Sequence, residues 1–377
     1  MTKKTTVVIL LFLLGGISTF AQSSTVDKTL NPLITGVPSL SIAPDARGGG
    51  MGDVGAATSP DVNSQYWNPA KYAFVEDAAG ISLSYTPWLR KLVSDINLAY
   101  LAGYYKLDEN QSISGSLRYF SLGQVDLTDV NGVSQGNTKP SEFALDVAYT
   151  RKLSDNFSGG VALRYIHSDL GGGMISDMWP ANAFSADVSA YYTQTVTGSG
   201  NSDGKFSAGA NISNIGSKVS YDKGNTKQFL PTNFRLGASY LHPIDEYNTI
   251  SINMDINKLL IPADTATTVE GHQKYSDISM LSGIFKSFGD KDFLKRIQLS
   301  LGLEYEYDKQ FAVRCGYFYE SQLSGNRKYF TFGAGFKLNV FRLDAAYVIA
   351  TSQTNPLDQT LRFSLGFDLD GLTNLVK

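Results

Sequence analysis

Phe330–Leu338 reads FTFGAGFKL. At a period of two residues it places Phe330, Phe332, Ala334, Phe336 and Leu338 on one face, and Thr331, Gly333, Gly335 and Lys337 on the other. Side chains of an extended chain alternate between faces, so this is a strand with one wholly apolar side and one side of small residues and a charge. The preceding run, QLSLGLEYEY at Gln298–Tyr307, repeats the arrangement. Leu299, Leu301, Leu303, Tyr305 and Tyr307 oppose Gln298, Ser300, Gly302, Glu304 and Glu306. Runs of about ten such residues suit tilted strands that cross a bilayer with apolar groups toward lipid and polar groups toward a lumen.

Carried along the chain, the same template predicts strands at 80–86, 96–106, 111–120, 142–152, 157–168, 183–195 and 204–213. It continues at 232–241, 248–258, 297–307, 311–320, 328–338, 340–350 and 360–369, for about fourteen strands. The connections alternate in size. Short links at 108–110, 154–156, 198–203, 242–247, 308–310 and 339 interleave with longer ones at 87–95, 122–141, 169–182, 214–231, 259–296, 321–327 and 351–359. An outer-membrane barrel sorts its connections in this way, with tight periplasmic turns and long external loops, whereas a soluble sandwich has no reason to. The expected fold class is therefore all-β, a transmembrane antiparallel barrel of about 14 strands at 80–377 whose termini face the periplasm. In the 259–296 loop, Met280, Leu281, Ile284, Phe285 and Phe288 recur at helical spacing. This predicts an amphipathic helix that either packs down its own loop or lies over the barrel mouth or in the outer-leaflet interface.

Composition agrees. Of 377 residues, 12% are aromatic, with 21 Tyr, 21 Phe and 36 Gly, and alternation hides the 42% hydrophobic content from any long apolar run. Residues 1–21 read as a secretory signal, with Lys3 and Lys4 before an apolar run at 7–14 and Thr19-Phe20-Ala21 as the cleavage site. Its removal moves the formal net charge from −3 to −5, which with no basic cluster argues against nucleic acid as a partner. Cys315, the only cysteine, lies among apolar alternating neighbours and is read as a core or lipid-facing residue.

A barrel of this size has a lumen its own side chains cannot fill. After a polar leader at 22–40, expected to be loose on the periplasmic side, the segment 41–79 supplies a plug. Its core, SIAPDARGGGMGDVGAATSPDVNSQYWNPAKYAF, is too rich in Gly, Pro, Asp and Asn for long regular structure, yet carries Met51, Val54, Tyr66, Trp67, Tyr72 and Phe74 as anchors. Gly50–Gly55 matches G-x-G-x-x-G without the strand and helix that a nucleotide fold requires. His167, His242 and His272 are scattered, and the carboxylates of Asp146, Glu304, Glu306 and Asp344 are read as lumen wall. No catalytic residue, metal site or cofactor is expected.

Asn68-Pro69-Ala70 resembles the N-terminal signature of the FadL family, fourteen-stranded barrels with an N-terminal hatch that take up hydrophobic substrates. The longer phrase from Ala43 to Phe74, with Tyr85-Thr86-Pro87-Trp88-Leu89 and QFAVRCGYFYES at 310–321, is similar to the PorV (LptO) family, FadL-like barrels of the type IX secretion system. The resemblance makes Asp45, Arg47, Gly48, Gly49, Gly50, Trp67, Asn68, Pro69 and Ala70 the hatch motif. It implies a non-enzymatic carrier that takes the C-terminal signal domain of secreted cargo from the Sov translocon to the PorU sortase and attachment complex, where cargo is joined to lipopolysaccharide. External-loop position then nominates Met174, Trp179, Phe229, Met280, Ile284, Phe285 and Phe288 as cargo contacts. FadL-type passage of a hydrophobic small molecule is the alternative.

Overall fold

A computed structural model describes residues 31–90, 93, 95–171, 175, 177–197, 203–351 and 357–369; the expected signal segment 1–21 and Met174 lie outside them. Fourteen strands close into one antiparallel barrel, each hydrogen-bonded to its neighbours in sequence, with the first and last sealing the seam. They are β1 (Ala79–Pro87), β2 (Asn97–Lys106), β3 (Gln111–Ser121), β6 (Ser141–Ser154), β7 (Phe157–Asp169), β8 (Ala181–Thr197) and β9 (Asp203–Gly216). The wall continues through β10 (Asn233–Pro243), β11 (Asn248–Leu259), β12 (Ile297–Tyr307), β13 (Phe311–Tyr319), β14 (Lys328–Leu338), β15 (Phe341–Ala350) and β16 (Leu361–Asp368). Closure leaves no sheet edge unpaired, which is what allows strands to stand in hydrocarbon.

Alternation sets the two faces. On β1, Ile81, Leu83 and Tyr85 point outward while Ser82, Ser84 and Thr86 are buried inside. On β12, Leu299, Leu301 and Leu303 are exposed on the outer surface and Ser300 and Glu304 are buried. Cys315 shares the outer face with Val313. Small hydroxyl side chains dominate the inner face because the plug backbone packs directly against them.

The predicted strands agree with these to within three residues at each end. Two elements were not foreseen. The 122–140 loop folds into a ribbon, β4 (Val125–Thr128) with β5 (Ser134–Thr138). The 260–296 loop holds a polar helix, α3 (Val269–Asp277), ahead of the expected apolar one, α4 (Met280–Phe288). The plug has only single helical turns, α1 (Ala46–Gly49) and α2 (Ser64–Trp67), with 3-10 turns at Pro38–Ser41 and Pro69–Phe74.

Candidate functional site

The described chain begins at the long-loop rim. Asn31 donates its N–H to the carbonyl of Leu323 at 3.0 Å, and Gly36 to that of Phe229 at 2.9 Å, both on long loops. Val37 and Leu40 are buried with Ala144, Ile166, Ala183, Val219 and Leu230. The expectation of a loose leader at the periplasmic, short-turn side is therefore corrected over 31–40: its apolar residues gain more by burial under the loops than by solvation. From there the segment descends, fastened by Arg118, whose guanidinium donates to the carbonyls of Ser39 (2.7 Å) and Ile42 (3.0 Å). It reaches β1 at the opposite rim.

The glycine-rich phrase is explained by proximity. Asp45 caps α1, accepting from the Gly48 N–H at 3.1 Å, and also accepts from the indole N–H of Trp67 at 3.0 Å. That indole lies between Gly48 and Gly55, where any Cβ would overlap it. Gly50 meets Gly333 of β14 backbone to backbone, and Gly52 adopts a left-handed φ of 74° beside the β13 backbone at Tyr317. The wall reciprocates, since a Cβ on Gly302 or Gly316 would strike Met51.

The Asn68-Pro69-Ala70 turn is clamped from every side. The Asn68 amide donates to the carbonyls of Ala56 and Ala190, both at 2.9 Å, and its oxygen caps the Ala70 N–H at 3.1 Å. Thr150 donates to the Pro69 carbonyl (3.0 Å) and Ser158 to that of Ala70 (2.6 Å). Asp255 of β11 accepts from the N–H groups of Gly55 and Ala56, both at 2.9 Å.

Charge is handled by pairing. Arg47 bridges Asp61 (2.8 Å) and Glu304 (2.8 Å); Glu304 also binds Arg314 (2.6 Å), which continues to Asp344 (2.7 Å). Arg164 binds Asp146 and Asp187, each at 2.9 Å, and Asp53 accepts from Tyr329 (2.6 Å) and pairs with Arg362. Buried ions persist only with partners of this quality. Within the plug, burial next to Asp61 pushes the Asp45 carboxyl up to about 6. Burial also lowers the Lys71 ammonium to about 8, although Asp61 opposes it; Lys71 donates to the Gly55 carbonyl at 3.0 Å.

Of the lumenal carboxylates, Asp146, Glu304 and Asp344 are each held by an arginine, and Glu306 borders a polar cavity of ≈ 380 Å³ at the short-turn side. Among the described residues, no three His, Cys, Asp or Glu side chains stand close enough to hold a metal ion. The plug's wall partners Arg118, Asp255 and Arg362 were not singled out from sequence, nor were Arg164 and Arg314, which hold the wall carboxylates Asp146 and Glu304 that meet the plug. The available signal was charge at the inward position of a strand.

At the opposite end a cavity of ≈ 410 Å³ opens beneath the long loops, lined by Leu33, Ile42, Trp88 and Phe120 together with Arg296, Arg327 and Arg362. Of the nominated loop residues, Trp179 is half exposed with the Lys223 ammonium over its ring at 4.3 Å. Phe229 is only 3% exposed, stacked edge-on with Tyr275 and covered by Lys218. It anchors its own loop, and its nomination as a cargo contact is corrected. Met280 and Ile284 are half-buried, while Phe285 and Phe288 are exposed.

A family model described as type IX secretion system protein PorV matches residues 24–266. Comparison with curated proteins gave no match. Among solved structures, the chain is similar to a TodX deltaS2S3 mutant monoaromatic hydrocarbon channel, at 12% identity over 86% of this chain and 98% of that one, with a TM-score of 0.52. It is also similar to the toluene transporter TodX of P. putida, at 9% identity over 87% and 98%, with a TM-score of 0.50. At such identities the likeness concerns the fold alone.

Proposed function

The chain belongs to the PorV family of the type IX secretion system and is an outer-membrane barrel of that system, and from this premise we propose that it is a non-enzymatic carrier of secreted cargo. Its long-loop rim receives the C-terminal signal domain of cargo released by the Sov translocon. It then passes that domain to the PorU sortase and attachment complex, which joins cargo to lipopolysaccharide. In this reading the short turns and the end of β16 face the periplasm and the long loops face outward.

The observation that carries the reading is the plug itself. A lumen segment pinned through Arg47, Asn68 and Asp53 to strands all round the wall leaves the rim as the working surface. In this reading Trp179 and the loops 122–140 and 217–232 make that contact. The test is to replace these loops with short Gly-Ser turns and isolate the tagged protein from outer membranes with a cargo signal domain present. Loss of the co-purified domain from a barrel that still closes is expected; retention overturns the assignment.

The mouth cavity, lined by apolar side chains as well as arginines, favours a second reading, passage of a hydrophobic small molecule. The two separate when the plug is locked. The Ala46 N–H donates to the Ser364 hydroxyl oxygen at 2.9 Å, so Ala46→Cys with Ser364→Cys, in a Cys315→Ser background, ties plug to wall. Cargo delivery survives the lock under the carrier reading, whereas uptake of a hydrophobic tracer would stop under the other.

A further inference from the structure

Helix α4 leaves its two phenylalanines and a leucine uncovered by its own protein. Its most buried residues are small, Gly283 and Ser287, with Met280 and Ile284 half-buried on the same face, and a Cβ on Gly283 would meet the ring of Phe229 at 2.6 Å. Its outer face presents Leu281, Phe285 and Phe288, at 60%, 75% and 54% exposure, with Leu294 beyond the helix end also exposed. Positions i, i+4 and i+7 form one stripe on a helix. An unbroken stripe of large apolar groups directed outward marks an interaction surface.

The place of this stripe on the barrel decides its occupant. Lys258 follows inward-facing Asn257 on β11, so it stands at an outward position, in line with the exposed Ile252 and Met254. Lys258 is nevertheless only 3% exposed, because the ring of Phe293 covers its ammonium at 4.8 Å. Phe293 therefore lies over the outer side of the wall, while Arg296 at the end of the same turn lines the mouth cavity. Phe288 packs on Phe293, with ring centroids 5.9 Å apart, which brings the end of α4 to that same side. Directly below, β12 carries Leu299 and Leu301 on the lipid-facing surface. The apolar stripe is thus continuous with the belt that faces hydrocarbon. Lys286 and Lys291, both exposed, flank it, together with Lys295, which is paired with Asp292.

We propose that α4 is a lateral foot seated in the membrane leaflet on the long-loop side. Leu281, Phe285, Phe288 and Leu294 lie among acyl chains, and the flanking lysines reach anionic headgroups. Helices of this composition lie in the interface plane, sunk about 5–10 Å into the headgroup and acyl boundary. The assignment removes Phe285 and Phe288 from the cargo-contacting set expected from the sequence. It requires the barrel to stand in a bilayer but not the carrier role.

A spin label reports the outcome directly. In full-length protein reconstituted into nanodiscs of mixed zwitterionic and anionic phospholipid, labels are placed singly at native Cys315 and, in a Cys315→Ser background, at Phe285→Cys and Val130→Cys. Collision with oxygen and with a water-soluble nickel chelate is then measured. The Cys315 label tests the barrel in lipid, and Val130, fully exposed on the β4–β5 ribbon, gives the aqueous reference. The inference expects a several-fold loss of chelate collision at residue 285 relative to 130, with oxygen collision raised as at 315. A label at 285 that matches 130 while 315 reads lipid overturns it. Shielding that arises only after a cargo signal domain is added also overturns it, and identifies a protein-docking face.

Discussion

Two long segments outside the strands, the plug at 41–78 and the loop at 260–296, use similar residues to opposite ends. In the plug, glycines bring backbone against backbone, charged side chains are buried in pairs, and the aromatic Trp67 and Tyr72 are hidden. In the loop, Gly283 and Ser287 face inward and Phe285 and Phe288 face out. The difference follows from what surrounds each segment. A polar lumen wall rewards satisfied hydrogen bonds and close approach, whereas a segment above a lipid-facing belt has an apolar phase within reach.

Four experiments test this contrast. Arg47→Ala should have the largest effect, because it leaves Asp61 buried without its arginine and halves the partners of Glu304. Breaking a buried pair costs about 3–5 kcal/mol. Hydrogen exchange over 41–75 should accelerate sharply while 280–288 is unchanged; equal change in both would show that the segments are one cooperative unit. Gly316→Val comes next, since its side chain would overlap the Met51–Gly52 peptide, an overpacking of about 1–3 kcal/mol. A lower midpoint of thermal unfolding in detergent is expected, with Gly159→Ala as the control because a Cβ there meets only ordinary contacts.

The third experiment concerns pH. The Asp45 carboxyl is held at about 6 in the folded plug against an ordinary 3.8, so folding favours its protonated form. That contribution is complete below 3.8 and is lost as pH rises through about 6. Asp61, drawn down to about 2 by Arg47 and Lys71 against its own burial, and Lys71 at about 8 leave this window untouched. Exchange in 41–75, corrected for intrinsic rate, should slow between pH 7.5 and 5. Asp45→Asn keeps an acceptor for the Trp67 indole and should remove that part of the slope. Least of all, Phe285→Gln should shift stability in detergent by no more than about 0.5 kcal/mol, as a surface change does. A larger loss would mean that the ring packs on protein.

The wall was legible because lipid outside and small groups inside impose a period of two, as in Phe330–Leu338 and Gln298–Tyr307. The β4–β5 ribbon was not, because VDLT and SQGNT face water on both sides and carry no such period. Helix α3 escaped for the same reason, since Val269–Asp277 has no apolar face. Spacing revealed that α4 has one apolar side but not which way it points, for that depends on Phe229, 51 to 59 positions earlier in the chain. Likewise the plug's glycines could be read as permitting close approach, while Arg118, Asp255 and Arg362 as its partners depend on register across the wall.

The seam between β1 and β16 joins the two ends of the wall in sequence, and the segment it encloses precedes both. The last stave closes the seam only by meeting the first, and the cord lies ahead of both in the chain. No thread has to be passed through a finished tube. The wall can be wound round a mandrel already in position, so a defect in 41–75 would be felt first as a failure of the winding, before any deficit in what the finished vessel does.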